Sequence, residues 1–162
     1  MAAPILETLD SLHQPAITLR PVALSESRLI WQWRNDEEAR RWSLRLDAVP
    51  WAAHYAWMYA RVARPHWWIG LVDDQPVGVI RFEAQDRCWV SIQIAPDQQN
   101  RGYGRGLLRA GVDACGVRPV WAQIHRLNEP SRRIFAAVGF YEDLEDPETV
   151  LAPWERWRYG VD

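Results

Sequence analysis

The sequence contains no lysine: all 19 of its Lys+Arg residues are arginine. That absence excludes a Schiff-base lysine, a phosphate-loop lysine and a lysine general base together. Any anion this chain binds must be held by guanidinium groups and backbone N–H groups. Cysteine is scarce as well, and Cys88 and Cys115 lie in apolar surroundings without a Cys-x-x-Cys spacing. They read as buried free thiols, not as a disulfide framework or a metal clip. No run approaches the roughly 18 apolar residues a membrane helix requires. The first ten residues, MAAPILETLD, carry acids and no basic start before an apolar segment, so no secretory signal is read there. A soluble cytoplasmic chain is expected. The net charge of −2 gives no reason to expect nucleic acid or an anionic membrane as a partner.

What is present is a chain of 162 residues, 48% hydrophobic and 25% charged, which suits one domain over 1–162 with a real core. Residues 17–22 (ITLRPV) read as a first strand. Ser25 or Ser27 can cap a helix through Leu29, Ile30 and Trp33. A second helix over 51–61 places Trp51, Tyr55 and Met58 at three-to-four spacing. Strand-like runs follow at 66–72, 76–83 and 88–94, joined by hairpin turns at Asp73-Asp74 and Gln85-Asp86, which makes them antiparallel neighbours. A glycine-rich loop, a helix over about 105–115, a strand over 120–125 and a helix over 130–138 come next. Alternation at WERWRY, 154–159, suggests a final strand. The pattern predicts an α/β (α+β) sheet flanked by helices.

The chemistry concentrates in VSIQIAPDQQNRGYGRGLLRAGVDA, residues 90–114. A strand runs into Gln99, Asn100, Arg101, Gly102, Tyr103 and Gly104, then directly into an amphipathic helix. Glycines let consecutive N–H groups turn inward, and a helix N-terminus adds unpaired donors and its positive dipole end. This is an anion site, with Arg101 or Arg105 adding charge. A dinucleotide fingerprint would need G-x-G-x-x-G and a later acid, whereas Gly102, Gly104 and Gly106 are spaced by two. The phosphate loop of nucleotide hydrolases fails for want of lysine.

The run Gln99-x-x-Gly102-x-Gly104 after an apolar strand resembles the acetyl-CoA signature of the GNAT superfamily of N-acetyltransferases. The segment NEPSRRIFAAVGF, 128–140, resembles that family's later motif: Asn128, then Ser131, then Gly139-Phe140 closing the helix. The resemblance implies a mixed, twisted central sheet of about seven strands, flanked by about four helices and splayed near its middle. It implies acetyl-CoA in the splay, no metal, and a monomer or homodimer. Backbone groups of Ile92, Gln93 and Ile94 would pair with the pantetheine, and Gln99 to Arg105 would hold the pyrophosphate. Asn128, Ser131 and Phe135 would face the pantetheine arm. A strand N–H would polarise the thioester carbonyl.

Two positions depart from the family pattern. Phe135 stands where many members have an acidic Tyr, and Gln123 where some have Glu. Neither moves a proton, so replacements are sought nearby. His125 has the intrinsic pKa of a base near neutrality. Glu83 at a strand end is a second base candidate, and Tyr141, after Gly139-Phe140, is a candidate to reach the sulfur. Tyr103 and Ser91 are weaker candidates for packing on the cofactor and for holding a water.

The N-terminal half, Trp33-Arg34-Asn35 with Arg40, Trp42 and a later His54-x-x-Trp57, resembles the subgroup that acetylates nucleotide-linked amino sugars, such as the acetyltransferase of pseudaminic acid synthesis. That resemblance implies a small-molecule amine: the 4-amino group of a UDP-linked 4-amino-4,6-dideoxy sugar, with Trp33, Arg34, Asn35, Arg40, Trp42, His54 and Arg81 lining its site. Ribosomal-protein N-terminal acetyltransferases share part of this pattern, and a non-catalytic acyl-CoA-binding module remains open because Tyr is missing at 135. Eleven tryptophans supply faces for stacking on sugars or bases, although most side chains of this kind belong to cores. A polycationic acceptor suits an acidic cleft, and this region is rich in arginine.

Overall fold

The computed structural model describes residues 16–146 and 153–160. Its strands are β1 (Thr18–Pro21), β2 (Trp67–Val72), β3 (Gln75–Ala84), β4 (Cys88–Ile94), β5 (Val120–His125), β6 (Tyr141–Glu142) and β7 (Trp154–Tyr159). Its α-helices are α1 (Ser27–Asn35), α2 (Glu37–Arg41), α3 (Trp51–Arg61), α4 (Tyr103–Cys115) and α5 (Glu129–Val138). All seven strands form one mixed sheet in the order β1-β2-β3-β4-β5-β7-β6. The expected strands and helices are all present, with ends shifted by one or two residues. One short helix was not foreseen: α2, which Asp36 caps by accepting from the N–H groups of Glu38 (3.1 Å) and Ala39 (3.2 Å).

Local chemistry explains the hairpins. Asp73 and Asp74 both take positive φ, 48° and 61°, the backbone of a two-residue turn whose twist matches the flanking strands. Alternation along β3 and β4 then sorts side chains to two faces. On one face Ile80, Phe82 and Val90 meet Leu107, Leu108 and Val112 of α4 and Phe135 and Val138 of α5. On the other, Trp67, Ile69 and Val79 meet Ile30 and Trp33 of α1 and Met58 of α3. Truncating Leu107 or Leu108, both fully buried, to Ala would cost about 2–5 kcal/mol. Helices α4 and α5 touch because Gly104 has no side chain; a Cβ there would lie 2.7 Å from Ile134 Cδ1.

Candidate functional site

β4 and β5 run parallel but pair only at Cys88↔Val120 and Trp89↔Trp121. Beyond that point they separate, while β4 stays paired with β3 to Ile94 and β5 with β7 to His125↔Trp154. A wedge therefore opens in the middle of the sheet. The Ala95 N–H donates to Val77 O (2.9 Å). Alternation in an antiparallel ladder turns the main chain of Gln93 and Ser91 toward β3 as well, and that of Ile92 and Ile94 away from it, into the wedge. Of the three residues expected to pair with the pantetheine, Ile92 and Ile94 turn their main chain into the wedge. Gln93 instead sends its side chain across to α1, where Nε2 donates to the Trp33 carbonyl.

The loop after β4 leads to the N-terminus of α4. Asn100 takes φ 61° and Gly102, the N-cap of α4, takes φ 80°. A Cβ placed on Gly102 would meet nothing within 4 Å, so the loop forms an open cradle before the helix end. Gln99, Asn100 and Arg101 are exposed around it, with Tyr103 and Arg105 half-buried behind. An extended thioester with a pyrophosphate fits this donor set: strand main chain along the wedge, then cradle N–H groups and the helix dipole. Asn128 caps α5, its Oδ1 accepting from Ser131 N–H (3.2 Å).

Several expected contacts are corrected by the packing. Phe135 is 3% exposed and stacks edge-on with Phe140 at 4.9 Å, so it fills the core and does not face the cofactor. Tyr141 lies on β6 at the sheet edge, with β7 and β5 between it and the wedge, about 10 Å by strand spacing alone. Its hydroxyl accepts from Arg158 Nε (2.8 Å), which holds the side chain at that edge of the sheet. Trp33 is 6% exposed within the core. Asn35 is held at both ends by Val49, donating to its carbonyl (2.9 Å) and accepting from its N–H (2.8 Å).

His54 is likewise turned inward. It is 4% exposed, with Nε2 donating to Ser27 O (2.9 Å) and rings of Trp51 and Trp57 at 6.1 and 5.9 Å. It ties α3 to α1 from within the core. Burial, and secondarily Arg34, lower its pKa below 6.5 despite the bond to Ser27. A depressed histidine adds stability above its unfolded pKa, and that contribution is lost as pH falls through the folded one. Thermal unfolding should therefore shift down as pH drops below about 6.5. His54→Gln, which keeps a donor for Ser27, should flatten that dependence; an unchanged slope would locate the pH sensitivity elsewhere.

The face of the sheet beneath α1 and α2 holds the remaining candidates. His125, ending β5, sits between Trp42 (5.5 Å) and Trp154 (5.2 Å). Its Nδ1 accepts from Leu127 N–H (3.2 Å), which puts the ring proton on Nε2. Held so, His125 offers a donor and not the lone pair of a base. Gln123 is occupied across the ladder, its amide oxygen accepting from Arg156 Nη1 (2.9 Å). Ser91 is exposed on β4, directly opposite Arg81, and Glu83 lies two residues along β3 with Oε2 3.2 Å from Arg81 Nε.

Arginine dominates this face. Arg34 Nη2 donates to Arg45 O (3.1 Å) and Arg40 Nη1 to Leu46 O (3.2 Å). Arg34 Nη1 and Arg40 Nε are enclosed without a hydrogen-bond partner, and Arg81 Nε, equally enclosed, has only the Glu83 carboxylate at 3.2 Å. Desolvation, then repulsion from Arg40, Arg81 and Arg45, lowers the pKa of Arg34. Arg81 is lowered by burial, offset in part by Glu83. Sequence reasoning named the three residues. That Arg40 and Arg81 both come close enough to repel Arg34 was hidden, because the proximity joins helix and strand residues about 40 positions apart. Among the described residues no group of His, Cys, Asp and Glu is placed to hold a metal, and no helix is long and apolar enough to cross a membrane.

The wedge, the cradle and the helix dipole behind it define a class of protein that binds an acyl thioester along a broken sheet. The family described as acetyltransferase (GNAT) domain matches residues 16–141. The chain belongs to that family and is an acetyl-CoA-dependent N-acetyltransferase. Among solved structures it is similar to an acetyltransferase of Salmonella typhimurium, yncA, determined with its cofactor acetyl-CoA: TM-score 0.69, 20% identity, 91% of this chain and 95% of that one covered. It is similar to the spermidine N-acetyltransferase of Vibrio cholerae, determined with CoA and spermine, at TM-score 0.70, 15% identity and 88% and 92% coverage. RimJ of Mycobacterium smegmatis, in complex with CoA-disulfide, matches at TM-score 0.61, 20% identity, and 78% and 71% coverage. Among curated proteins no match reaches significance.

Proposed function

We propose that the chain acetylates a primary amine on an anionic acceptor, the 4-amino group of a UDP-linked 4-amino-4,6-dideoxy sugar, by direct attack in a ternary complex. The observation that carries this reading is the pair of enclosed, unpartnered N–H groups on Arg34 and Arg40, with the desolvated Arg81 close by. Each buried donor left unmade costs about 1–3 kcal/mol, more when charged. Two so close together are explained by a ligand whose oxygen atoms complete them. A polyamine, the ligand seen in the Vibrio cholerae enzyme, would meet like charge here.

Acetyl-CoA supplies the activated acyl group. The chain supplies orientation and proton transfer. Ile92 and Ile94 present main-chain groups to the wedge, and a strand N–H there polarises the carbonyl. His125 Nε2–H donates to the acceptor from the open end of β5. Glu83, on the same face, is the group that can take the proton released by the attacking amine, directly or through water on Ser91.

Release of free thiol, followed over UDP-amino sugars, spermidine and N-terminal peptides, tests the reading. Turnover is expected with the amino sugar and not with spermidine. Peptide turnover alone would move the acceptor to a protein terminus, as in a ribosomal-protein acetyltransferase. Tight CoA binding with no thiol release from any amine would leave a non-catalytic acyl-CoA-binding module.

A further inference from the structure

Beside Arg81, away from the wedge, a cavity of about 240 Å³ opens between the start of β2, the end of β3 and the last turn of α3. Its chemistry-bearing lining is Trp57, Arg61, Arg64, His66, Arg81 and Glu83. Three of these are guanidinium groups and one is a carboxylate, which is already against Arg81 at 3.2 Å. Among the described residues no carboxylate pairs with Arg61 or Arg64. With His66 neutral the wall carries an excess of two positive charges. The C-terminal dipole of α3, roughly half a negative charge, offsets only a part of it.

The geometry is directional. The Arg61 and Arg81 guanidinium carbons stand 5.5 and 4.9 Å from the Trp57 ring centroid, so both cations are lodged against one aromatic ring. His66 holds a left-handed backbone, φ 62°, a strain of the kind that accumulates at binding sites. Its carbonyl accepts from Phe82 N–H (2.9 Å), which pins it across the strands. Arg81 belongs both to this cavity and to the cleft over Ser91, its register partner on β4.

We infer that this cavity is a dianion subsite, in which Arg61, Arg64 and Arg81 hold a diphosphate while the attached group reaches past Arg81 to Ser91 and the wedge. The inference rests on the anionic-acceptor reading above and deepens it, by placing the diphosphate beyond Arg81 and not at the loop that receives the cofactor. A charge of about −2 on a diphosphate diester matches the excess on the wall. Guanidinium forks suit its paired oxygens.

The probe is inorganic pyrophosphate, titrated calorimetrically into protein saturated with CoA, so that the cradle before α4 is already filled. Wild type is expected to bind one equivalent. Arg61→Gln and Arg64→Gln should each weaken it about tenfold, and the double variant about a hundredfold, with CoA affinity unchanged. Arg109→Gln, exposed on α4, should bind as wild type. Arg64 is exposed and Arg61 half-exposed, so neither substitution threatens the fold. Absence of pyrophosphate binding once CoA is bound would overturn the subsite, as would undiminished binding by the double variant. A second arm measures KM for the UDP-amino sugar, expected to rise with kcat retained. If the double variant weakens pyrophosphate but no amino sugar is ever turned over, the acceptor reading fails and the dianion subsite stands. If amino sugar is turned over with unchanged KM by the double variant, the subsite fails and the acceptor reading stands.

Discussion

Gly102→Ala is expected to raise the Kd for CoA about tenfold or more, whereas Gly116→Ala should leave it unchanged, although the two substitutions should destabilise the protein alike. The two glycines bracket α4, at its N-cap and C-cap, with φ 80° and 68°. Neither would bring a Cβ within 4 Å of anything. Each Ala therefore costs only left-handed strain, roughly 1–2 kcal/mol, or a few degrees of unfolding temperature at this size. The difference between them is what each glycine faces. Gly116 faces open space past the helix end, while Gly102 lines the cradle where N–H groups converge, and a methyl group there stands where a phosphoryl oxygen would approach. A tenfold loss corresponds to about 1.4 kcal/mol, less than one charge-assisted contact. Equal CoA affinity in the two variants would remove the loop from the cofactor site. Calorimetric titration of CoA, paired with thermal unfolding, reads both quantities.

Arg34→Met should move stability and activity in opposite directions. The guanidinium of Arg34 is desolvated and repelled by Arg40, Arg81 and Arg45, and its Nη1 lacks a partner. Replacing a poorly compensated buried charge with an apolar side chain of similar length is commonly neutral or stabilising. The unfolding temperature should hold or rise, even though the bond to Arg45 O is lost. If the unpartnered donor serves an anionic acceptor, kcat/KM for that acceptor should drop about a hundredfold, some 2.7 kcal/mol of lost binding to the transition state. KM for acetyl-CoA should stay put. A variant both less stable and equally active would mean that Arg34 is structural.

The cofactor half of the site was legible because its signals are local. A strand, a left-handed glycine and a helix N-terminus follow one another within about fifteen residues, and each carries a backbone reason for its residue types. The acceptor half was less legible because long-range contacts decide it. His54 shares the Trp51–Trp57 stripe of α3, and an almost wholly apolar helix does not announce which side turns inward; the bond to Ser27, 27 residues earlier, decides that. Tyr141 follows the Gly-Phe motif closely in sequence, yet β7 enters the sheet between β5 and β6 and removes it from the wedge. Gln93 was read as a cofactor contact, and its side chain crosses to Trp33, 60 residues away. The buried tryptophans Trp33, Trp67, Trp121 and Trp157 show why a high aromatic count says little about ligands until faces are assigned.

One pair of side chains bears on how this protein tolerates its own co-substrate. Cys88 begins β4 at the pair with Val120 where the wedge starts to open, and burial, followed by its neighbour Cys115, pushes its thiol up to about 11. At neutral pH Cys88 is therefore held as the thiol, and not as the thiolate that attacks thioesters. The chain also has no lysine ε-amine, the other side chain that reactive acyl thioesters modify spontaneously. An enzyme that uses acetyl-CoA is thereby spared self-acylation at Cys88, whose thiol the core keeps protonated, and at lysine side chains, which the sequence lacks.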